Sequence, residues 1–334
     1  LFLVGILINL LKKRGTLALS SLLLFSLILP SFCFEPILNR VSATIELPQS
    51  IRPALTTDSS NKVYVVFIEL YNKRSRVGFL ESTTSFSWQT AASYIVDPLE
   101  GTEVSRARIA VYRELVFVAY NLYSKTNSSL KVIKRVDQSH WEQVFSITST
   151  NNESYLWPTL KTGLDGHLWL AWTSNTEEKH SLYCSRAVEE GGALTWTPPI
   201  QVSQGVTNDV EMIDFFVQDS GIVSFVWSEG EEYHKQVYYR ELSTNGTLSP
   251  SFSFPNEETS AEFPRVLGDS NKRIHVFWSN FTVPNPDGVI GTKNIQHVFK
   301  NPYGEWTTQE KVAPYQELTQ LGQTDGAYPD IAID

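Results

Sequence analysis

VYVVF (63–67), LVFVAY (115–120), HLWLAW (167–172), IVSFVW (222–227) and RIHVFW (273–278) each end on an aromatic residue: Phe67, Tyr120, Trp172, Trp227 and Trp278. The intervals between those aromatics are 53, 52, 55 and 51 residues. An irregular fold has no reason to return the same pattern at the same spacing, so the period marks a repeat architecture with one supersecondary unit per repeat. Upstream of each aromatic, by 14, 13, 14, 14 and 14 residues, stand Pro53, Ala107, Pro158, Ile213 and Pro264, and Pro329 continues the column. Two positions after each member comes an apolar residue: Leu55, Ile109, Leu160, Phe215, Val266 and Ile331. This alternation is that of a strand with one side chain in two facing a core.

Polar turns separate the first and second runs of each unit: Asp58 to Lys62, Asp165-Gly166, Ser220-Gly221 and Asp269 to Lys272. They read as hairpin connections, in which an aspartate satisfies the turn's own amides. A third run follows in each unit, for example RVGFLES, SLYCSRAV or QVYYRELS; then comes Trp88, Trp141, Trp196 or Trp306, then a fourth run such as PIQVS or EKVAP. Unit four has NGTLSP where the tryptophan would stand. Four strands in about fifty residues, repeated, predict an all-β fold: a β-propeller of four-stranded blades, in which each sheet buries both faces against its neighbours. The count is five complete blades plus the start of a sixth, YPDIAID, with the remainder of that blade expected beyond Asp334; Arg40 to Leu47 would supply a strand to the last blade.

The amino end reads as a targeting segment. Lys12, Lys13 and Arg14 precede an apolar run from Thr16 to Leu29, and the small residues Ser31 and Cys33 follow. Residues 1–33 therefore read as a signal peptide or an N-terminal membrane anchor, and 34–334 as the propeller. Cleavage after Cys33 would leave Cys184 as the single cysteine and 24 basic against 36 acidic residues. That predicts a secreted or cell-surface protein without an internal disulfide, and the acidic balance excludes nucleic acid and anionic membrane surfaces as partners. Sequons begin at Asn127, Asn152, Asn245 and Asn280. Six histidines without metal-ligand spacing give no metal centre, and no cofactor motif is present.

The stretches WPTLKTGLDGHLWLAWTS, FPRVLGDSNKRIHVFWSN and LTWTPPIQVS resemble the sialidase-like propellers built from bacterial neuraminidase (Asp-box) repeats. The resemblance spans residues 52 to 334. It departs from the Asp-box itself: Thr83 and Ser85 stand at the aspartate and glycine positions before Trp88, and Gly191 and Ala193 before Trp196. The resemblance implies a substrate carboxylate held by three arginines, an aspartate acid/base, and a tyrosine nucleophile assisted by a glutamate. Arg52, in Arg52-Pro53-Ala54-Leu55, is similar to the family's first arginine motif but lacks its isoleucine; Arg106, Arg108 and Arg265 also open first strands. Arg52, Arg108, Arg265 and Asp214 are thus the catalytic candidates. Asp214 and Asp330 share a column with Arg108 and Arg265, which makes salt pairing the plainer expectation.

For ligand binding the candidates are Arg52, Arg106, Arg108, Trp157, Asp214, Arg265, Tyr328 and Asp330. Trp157, Phe263 and Tyr328 would stack on a sugar ring where exposed and fill the space between blades where not. The loops after the aromatic markers vary in length and are polar, for example NKRSR and NTEEKHS, and variable loops on a rigid repeat are where recognition resides. The leading expectation is an exported binding or scaffolding propeller for a glycan or an extracellular protein. The alternative is an exo-acting glycoside hydrolase of the sialidase type; a purely structural surface module is the third.

Overall fold

The computed structural model describes residues 50–71, 74–82, 92–125, 127–149, 153–176, 180–203, 209–231, 234–255, 259–282 and 292–314. Among the described residues every regular element is a strand, and the strands form five antiparallel sheets in sequence order. Blade 1 holds β1 (Ser50–Thr57), β2 (Val63–Tyr71), β3 (Arg74–Glu81) and β4 (Ser93–Val96). Blade 2 holds β5 (Glu103–Tyr112), β6 (Leu115–Tyr123), β7 (Ser128–Arg135) and β8 (Trp141–Thr148). Blade 3 holds β9 (Ser154–Thr162), β10 (Leu168–Asn175) and β11 (His180–Glu190), with β12 (Ala193–Trp196) and β13 (Ile200–Gln201) both paired to β11. Blade 4 holds β14 (Asp209–Val217), β15 (Val223–Gly230), β16 (Gln236–Leu242) and a two-residue β17 (Phe252–Ser253). Blade 5 holds β18 (Thr259–Gly268), β19 (Ile274–Thr282), β20 (Thr292–Lys300) and β21 (Glu310–Pro314).

The repeat is therefore a β-propeller blade, and all five aromatic markers occupy the same place on the second strand. Phe67, Tyr120, Trp172, Trp227 and Trp278 are all buried, the most accessible being Tyr120 at 6%. First strands pack in order, β1 on β5, β5 on β9, β9 on β14 and β14 on β18. The apolar clusters lie between blades: blades 1 and 2 share one built on Val66, Ile68, Val118 and Tyr120, and blades 2 and 3 one on Phe117, Leu168, Leu170 and Trp172. Blades 3 and 4 share Trp169, Phe215, Phe225 and Trp227, and blades 4 and 5 share Val226, Tyr239, Val276 and Trp278. Tyr120, Trp172, Trp227 and Trp278 face the preceding blade, while Phe117, Ala119, Trp169, Ala171 and Val226 beside them face the next one. That is why the second strands read as unbroken apolar runs instead of alternating.

The turn aspartates act as the sequence suggested. Asp58 Oδ1 accepts from the amides of Ser60 and Lys62, and Asp269 Oδ1 from those of Asn271 and Arg273. Charged ties cross between blades at the far ends of the third strands. Glu81 receives both Nη1 and Nη2 of Arg135 from blade 2, at 2.8 and 2.9 Å, and Lys300 of blade 5 reaches Glu241 of blade 4 at 2.8 Å. The Arg135 guanidinium holds the Glu81 carboxyl below its ordinary range. Cys184 is buried, and burial pushes its thiol up to about 12, so it packs as an apolar residue.

Asn280 is not an acceptor for a glycan in the folded chain: it is 5% accessible, and its Oδ1 accepts the Trp278 indole N–H at 3.0 Å. Unit four also keeps a fourth strand, reduced to β17, despite lacking its tryptophan. Residues 1–33, Arg40 to Leu47, Trp88 and the YPDIAID stretch lie outside the described residues.

Since Trp227 is 1% accessible within the apolar cluster of blades 3 and 4, Trp227→Ala is expected to lower unfolding stability by about 3–5 kcal/mol. Urea denaturation checks this, and a loss below about 1 kcal/mol would contradict the packing described.

Candidate functional site

Antiparallel pairing gathers the start of every first strand and the end of every second strand at one end of the blades. Ser50 pairs with Glu69, Glu103 with Tyr123, Ser154 with Asn175, Asp209 with Gly230 and Thr259 with Thr282. Near this end each first strand carries a β-bulge. Arg52-Pro53 lies opposite Phe67, Trp157-Pro158 opposite Trp172, Met212-Ile213 opposite Trp227, and Phe263-Pro264 opposite Trp278. Proline fits here because a bulge removes a ladder hydrogen bond that its nitrogen could not donate.

Trp157, Met212 and Phe263 adopt φ of 52°, 55° and 55°. Left-handed backbone at a bulky residue costs on the order of 1–3 kcal/mol, and the surrounding structure must hold it. Blade 2 solves the same problem differently. Its bulge, Ser105-Arg106, is displaced one position to lie opposite Asn121. The Asn121 amide closes the gap: Oδ1 accepts the Arg106 N–H at 3.1 Å, and Nδ2 donates to Ser105 Oγ at 2.8 Å. The spacing of 13 residues in that unit, against 14 in the others, comes from its tighter hairpin, Arg113-Glu114 between the paired Tyr112 and Leu115.

Bulges of neighbouring blades meet at two places. The Arg106 guanidinium lies on the Trp157 ring, 3.1 Å from its centroid, and both residues are half-buried. Next along, the Phe263 N–H donates to Met212 Sδ at 3.4 Å. Arg52 heads the same column on β1. Arg108 and Arg265 each turn one Nη1 back onto the carbonyl of the preceding residue, Ala107 at 3.0 Å and Pro264 at 2.9 Å. The expected pairing of Asp214 with an arginine is replaced by a lysine. Lys161 Nζ from blade 3 meets Asp214 Oδ1 at 2.6 Å, and the Val266 N–H from blade 5 donates to Oδ2 at 3.1 Å. Lys161 stands two residues beyond the position on its strand that matches Arg108 and Arg265. Asp214 thus ties three blades together. Tyr328 and Asp330 lie outside the described residues.

At the same end, blade 1 carries a depression of about 260 Å³ lined by Tyr71, Arg74, Arg76 and Asp97. Arg76 is sandwiched, its guanidinium carbon 4.2 Å from the Tyr71 centroid and 3.4 Å from that of Tyr94, while its Nε and Nη2 both meet Glu69 Oε2 at 2.7 Å. Burial and the hydrogen bond to Glu69 push the Tyr94 phenol up. Tyr71 and Tyr94 remain 53% and 41% exposed. Arg74 makes only a 3.5 Å contact with the exposed Glu100, a pair of the kind worth well under ~1 kcal/mol and easily exchanged. The NKRSR loop and the carboxylates Glu69 and Asp97 were visible in the sequence, but no motif joined them; a run ending Leu70-Tyr71, apolar past the point where the strand leaves the core, was the available signal.

Glu229, at the end of β15, is buried, and its Oε2 accepts the Trp227 indole N–H at 2.8 Å. Burial pushes its carboxyl up. Glu211, on the adjoining strand, is salt-bridged to Lys235 at 2.6 Å. Among the described residues no group of histidine, cysteine and carboxylate side chains could hold a metal ion.

No family model and no curated protein matches the chain. Solved structures do. A protein of unknown function from Dyadobacter fermentans is 13% identical, with a TM-score of 0.50 over 74% of this chain and 76% of that one. An α-L-arabinofuranosidase from Fusarium graminearum is 13% identical, with a TM-score of 0.49 over 81% and 94%. An endo-arabinase from Bacteroides thetaiotaomicron is 14% identical, with a TM-score of 0.45 over 71% and 92%. At such identities the likeness concerns fold alone.

Glu229 provides a pH signature. A carboxyl whose folded value is raised favours folding below its unfolded value, and that contribution is lost as pH rises through the shifted range. Glu229→Gln, which keeps an acceptor for Trp227, is expected to match the wild type at about pH 4 and exceed its stability at about pH 8. Equal melting temperatures at both pH values would count against a buried, penalised carboxylate.

Proposed function

We propose that this protein is an exported glycan-binding propeller that receives a neutral sugar ring at the blade 1 depression and further rings along the bulge column. The observation that carries the reading is the Tyr71–Arg76–Tyr94 sandwich, two exposed aromatic rings held rigid by a guanidinium, beside a cavity walled by Arg74 and Asp97. A sugar ring offers apolar C–H faces and a rim of hydroxyls. Tyrosine supplies a flat amphipathic surface at small entropic cost, and the arginine and aspartate supply donors and an acceptor for hydroxyls. The cationic Arg74 and Arg76 are matched by Glu69, Asp97 and Glu100, so the site lacks the surplus positive charge a carboxylate ligand needs. Its volume lies just below the ~300 Å³ at which pockets for drug-sized ligands begin, which suits one ring.

One ring in a shallow site binds weakly, on the order of millimolar, and a polymer that also reaches Arg106 and Trp157 gains through effective concentration. Calorimetric or NMR titration of the full chain with neutral oligosaccharides of increasing length is the direct test. Tyr71→Ala is expected to weaken binding of every length by about tenfold or more, and Arg106→Ala only that of the longer ones. Undiminished affinity in Tyr71→Ala, or silence across a panel of neutral glycans, would sink the reading.

A hydrolase is the second reading, favoured by Glu229. A buried carboxyl held toward its neutral form is what a general acid requires. Release of aryl alcohol from neutral aryl glycosides, abolished in Glu229→Gln, would support it; no turnover above that variant would exclude it.

A further inference from the structure

Three of the four sequons fall on described residues, and the fold treats each differently. Asn280 is buried against Trp278. Asn127 is exposed, but the rest of its tripeptide runs into the sheet: Ser128 and Ser129 are buried, and Ser128 Oγ takes the Tyr155 N–H of blade 3 at 3.0 Å. Asn245-Gly246-Thr247 is exposed at all three positions. It lies in the β16–β17 connection of unit four, in the NGTLSP stretch that stands where other units carry their outer tryptophan. Asn152 lies outside the described residues.

Two backbone bonds close the turn, Gly246 N–H to the Ser243 carbonyl at 3.0 Å and Ser243 N–H to the Thr247 carbonyl at 2.9 Å. Gly246 adopts φ of 83°, a left-handed conformation that glycine enters without steric penalty, and a Cβ there would meet nothing within 4 Å. The tip of the turn therefore stands clear of the blade. Asn245 Oδ1 accepts the Thr247 N–H at 3.0 Å and the Ser243 hydroxyl at 2.5 Å. A backbone N–H can only donate, so the atom facing it is the oxygen, and the orientation of the Asn245 carboxamide is fixed. The planar group then turns Nδ2 away from the amide it caps, and among the described residues Nδ2 has no hydrogen-bond partner. Thr247 gives its N–H and carbonyl to the turn and leaves its hydroxyl unengaged. The first residue of β16, Gln236, pairs with Glu229 at the binding end, and its last, Leu242, with Val223 at the other. Asn245 thus stands at the end of blade 4 opposite the bulges.

We propose that Asn245 is an N-glycosylation acceptor that takes its sugar from a lipid-linked oligosaccharide diphosphate during export. Glycosylation there rests on the same export that the proposed function assumes. Transfer forms a bond from Nδ2 to the sugar C1 and breaks the bond from C1 to the diphosphate oxygen. The diphosphate leaves with that electron pair, and Nδ2 gives up one proton. The tripeptide meets these demands with an amide nitrogen free of competing bonds and a hydroxyl free to be recognised. Every bond of the turn lies within residues 243–247, so the turn can form before the blades assemble. Where transfer precedes folding, the fold decides which modified asparagine it keeps. A sugar on Asn245 extends into solvent and leaves the binding face open, whereas one on Asn280 would have to lie in the apolar contact of blades 4 and 5 beside Trp278.

Peptide mapping of the full chain, produced in a eukaryotic host whose secretory route transfers N-glycans and treated with peptide N-glycosidase in heavy-oxygen water, reads the site directly, because release converts a glycosylated asparagine into labelled aspartate. Label is expected at Asn245 in most secreted molecules and is not expected at Asn280. Thr247→Ala removes the recognised hydroxyl and keeps the turn, whose bonds use the Thr247 N–H and carbonyl. That variant is expected to lose one glycan step in gel mobility, with a melting temperature matching the wild type once both are deglycosylated. Thr247→Ser, which keeps a hydroxyl, should retain part of the step. A secreted chain bare at Asn245, or a full step surviving in Thr247→Ala, would overturn this proposal alone. A chain that never enters the secretory route would overturn the exported reading and this one with it.

Discussion

From blade 2 to blade 5, the aromatic residue on the second strand is what fills the wedge toward the blade before it. The arrangement is self-consistent only in series. Trp172 needs blade 2, Trp227 needs blade 3 and Trp278 needs blade 4. Apolar burial is non-directional and proportional to area, so it brings sheets together without fixing their rotation. Rotation is set by the polar ties at the margins, such as Glu81 with Arg135 and Asp214 with Lys161 and Val266. These ties are satisfied at both ends, which is the condition under which burying charge does not destabilise a fold.

The same wedge explains the bulges. A large ring on the second strand pushes against the first strand opposite it, and in four blades the first strand answers by carrying two residues where one would pair. The extra residue disrupts the ladder at the mouth of the blade and turns a side chain out of the sheet plane. In three of those blades the turned residue sits in left-handed backbone. Packing of the core thereby generates, as a by-product, a row of outward side chains at one end. Arg106 on Trp157, and the Phe263 N–H donating to Met212 Sδ, show that neighbouring blades meet at the bulges. The rigid platform of blade 1 stands on the same end because its residues close second and third strands that terminate there.

Blade 5 shows the complementary logic. Its face toward blade 4 is apolar, with Ile274, Val276 and Trp278. Its other face alternates His275, Phe277, His297 and Phe299 with a charged turn, so polar groups there must satisfy one another. A chain of donors and acceptors from Asp269 to Glu310 does this.

Sequence alone determined the repeat, the strand order within it and the equivalence of Phe67, Tyr120, Trp172, Trp227 and Trp278. A period and an alternation are one-dimensional, and strand pairing between sequence neighbours preserves them. It also placed Arg52, Arg106, Trp157 and Phe263 in one column, because a column is only a spacing. The partner of Asp214, the burial of Asn280, the stacking of Arg106 on Trp157, the Tyr71–Arg76–Tyr94 platform and the line from Asp269 to Glu310 were decided by tertiary structure. Each joins residues from different strands or different blades, and their meeting depends on twist, bulge and blade rotation, quantities that side-chain reach converts into contact only in three dimensions.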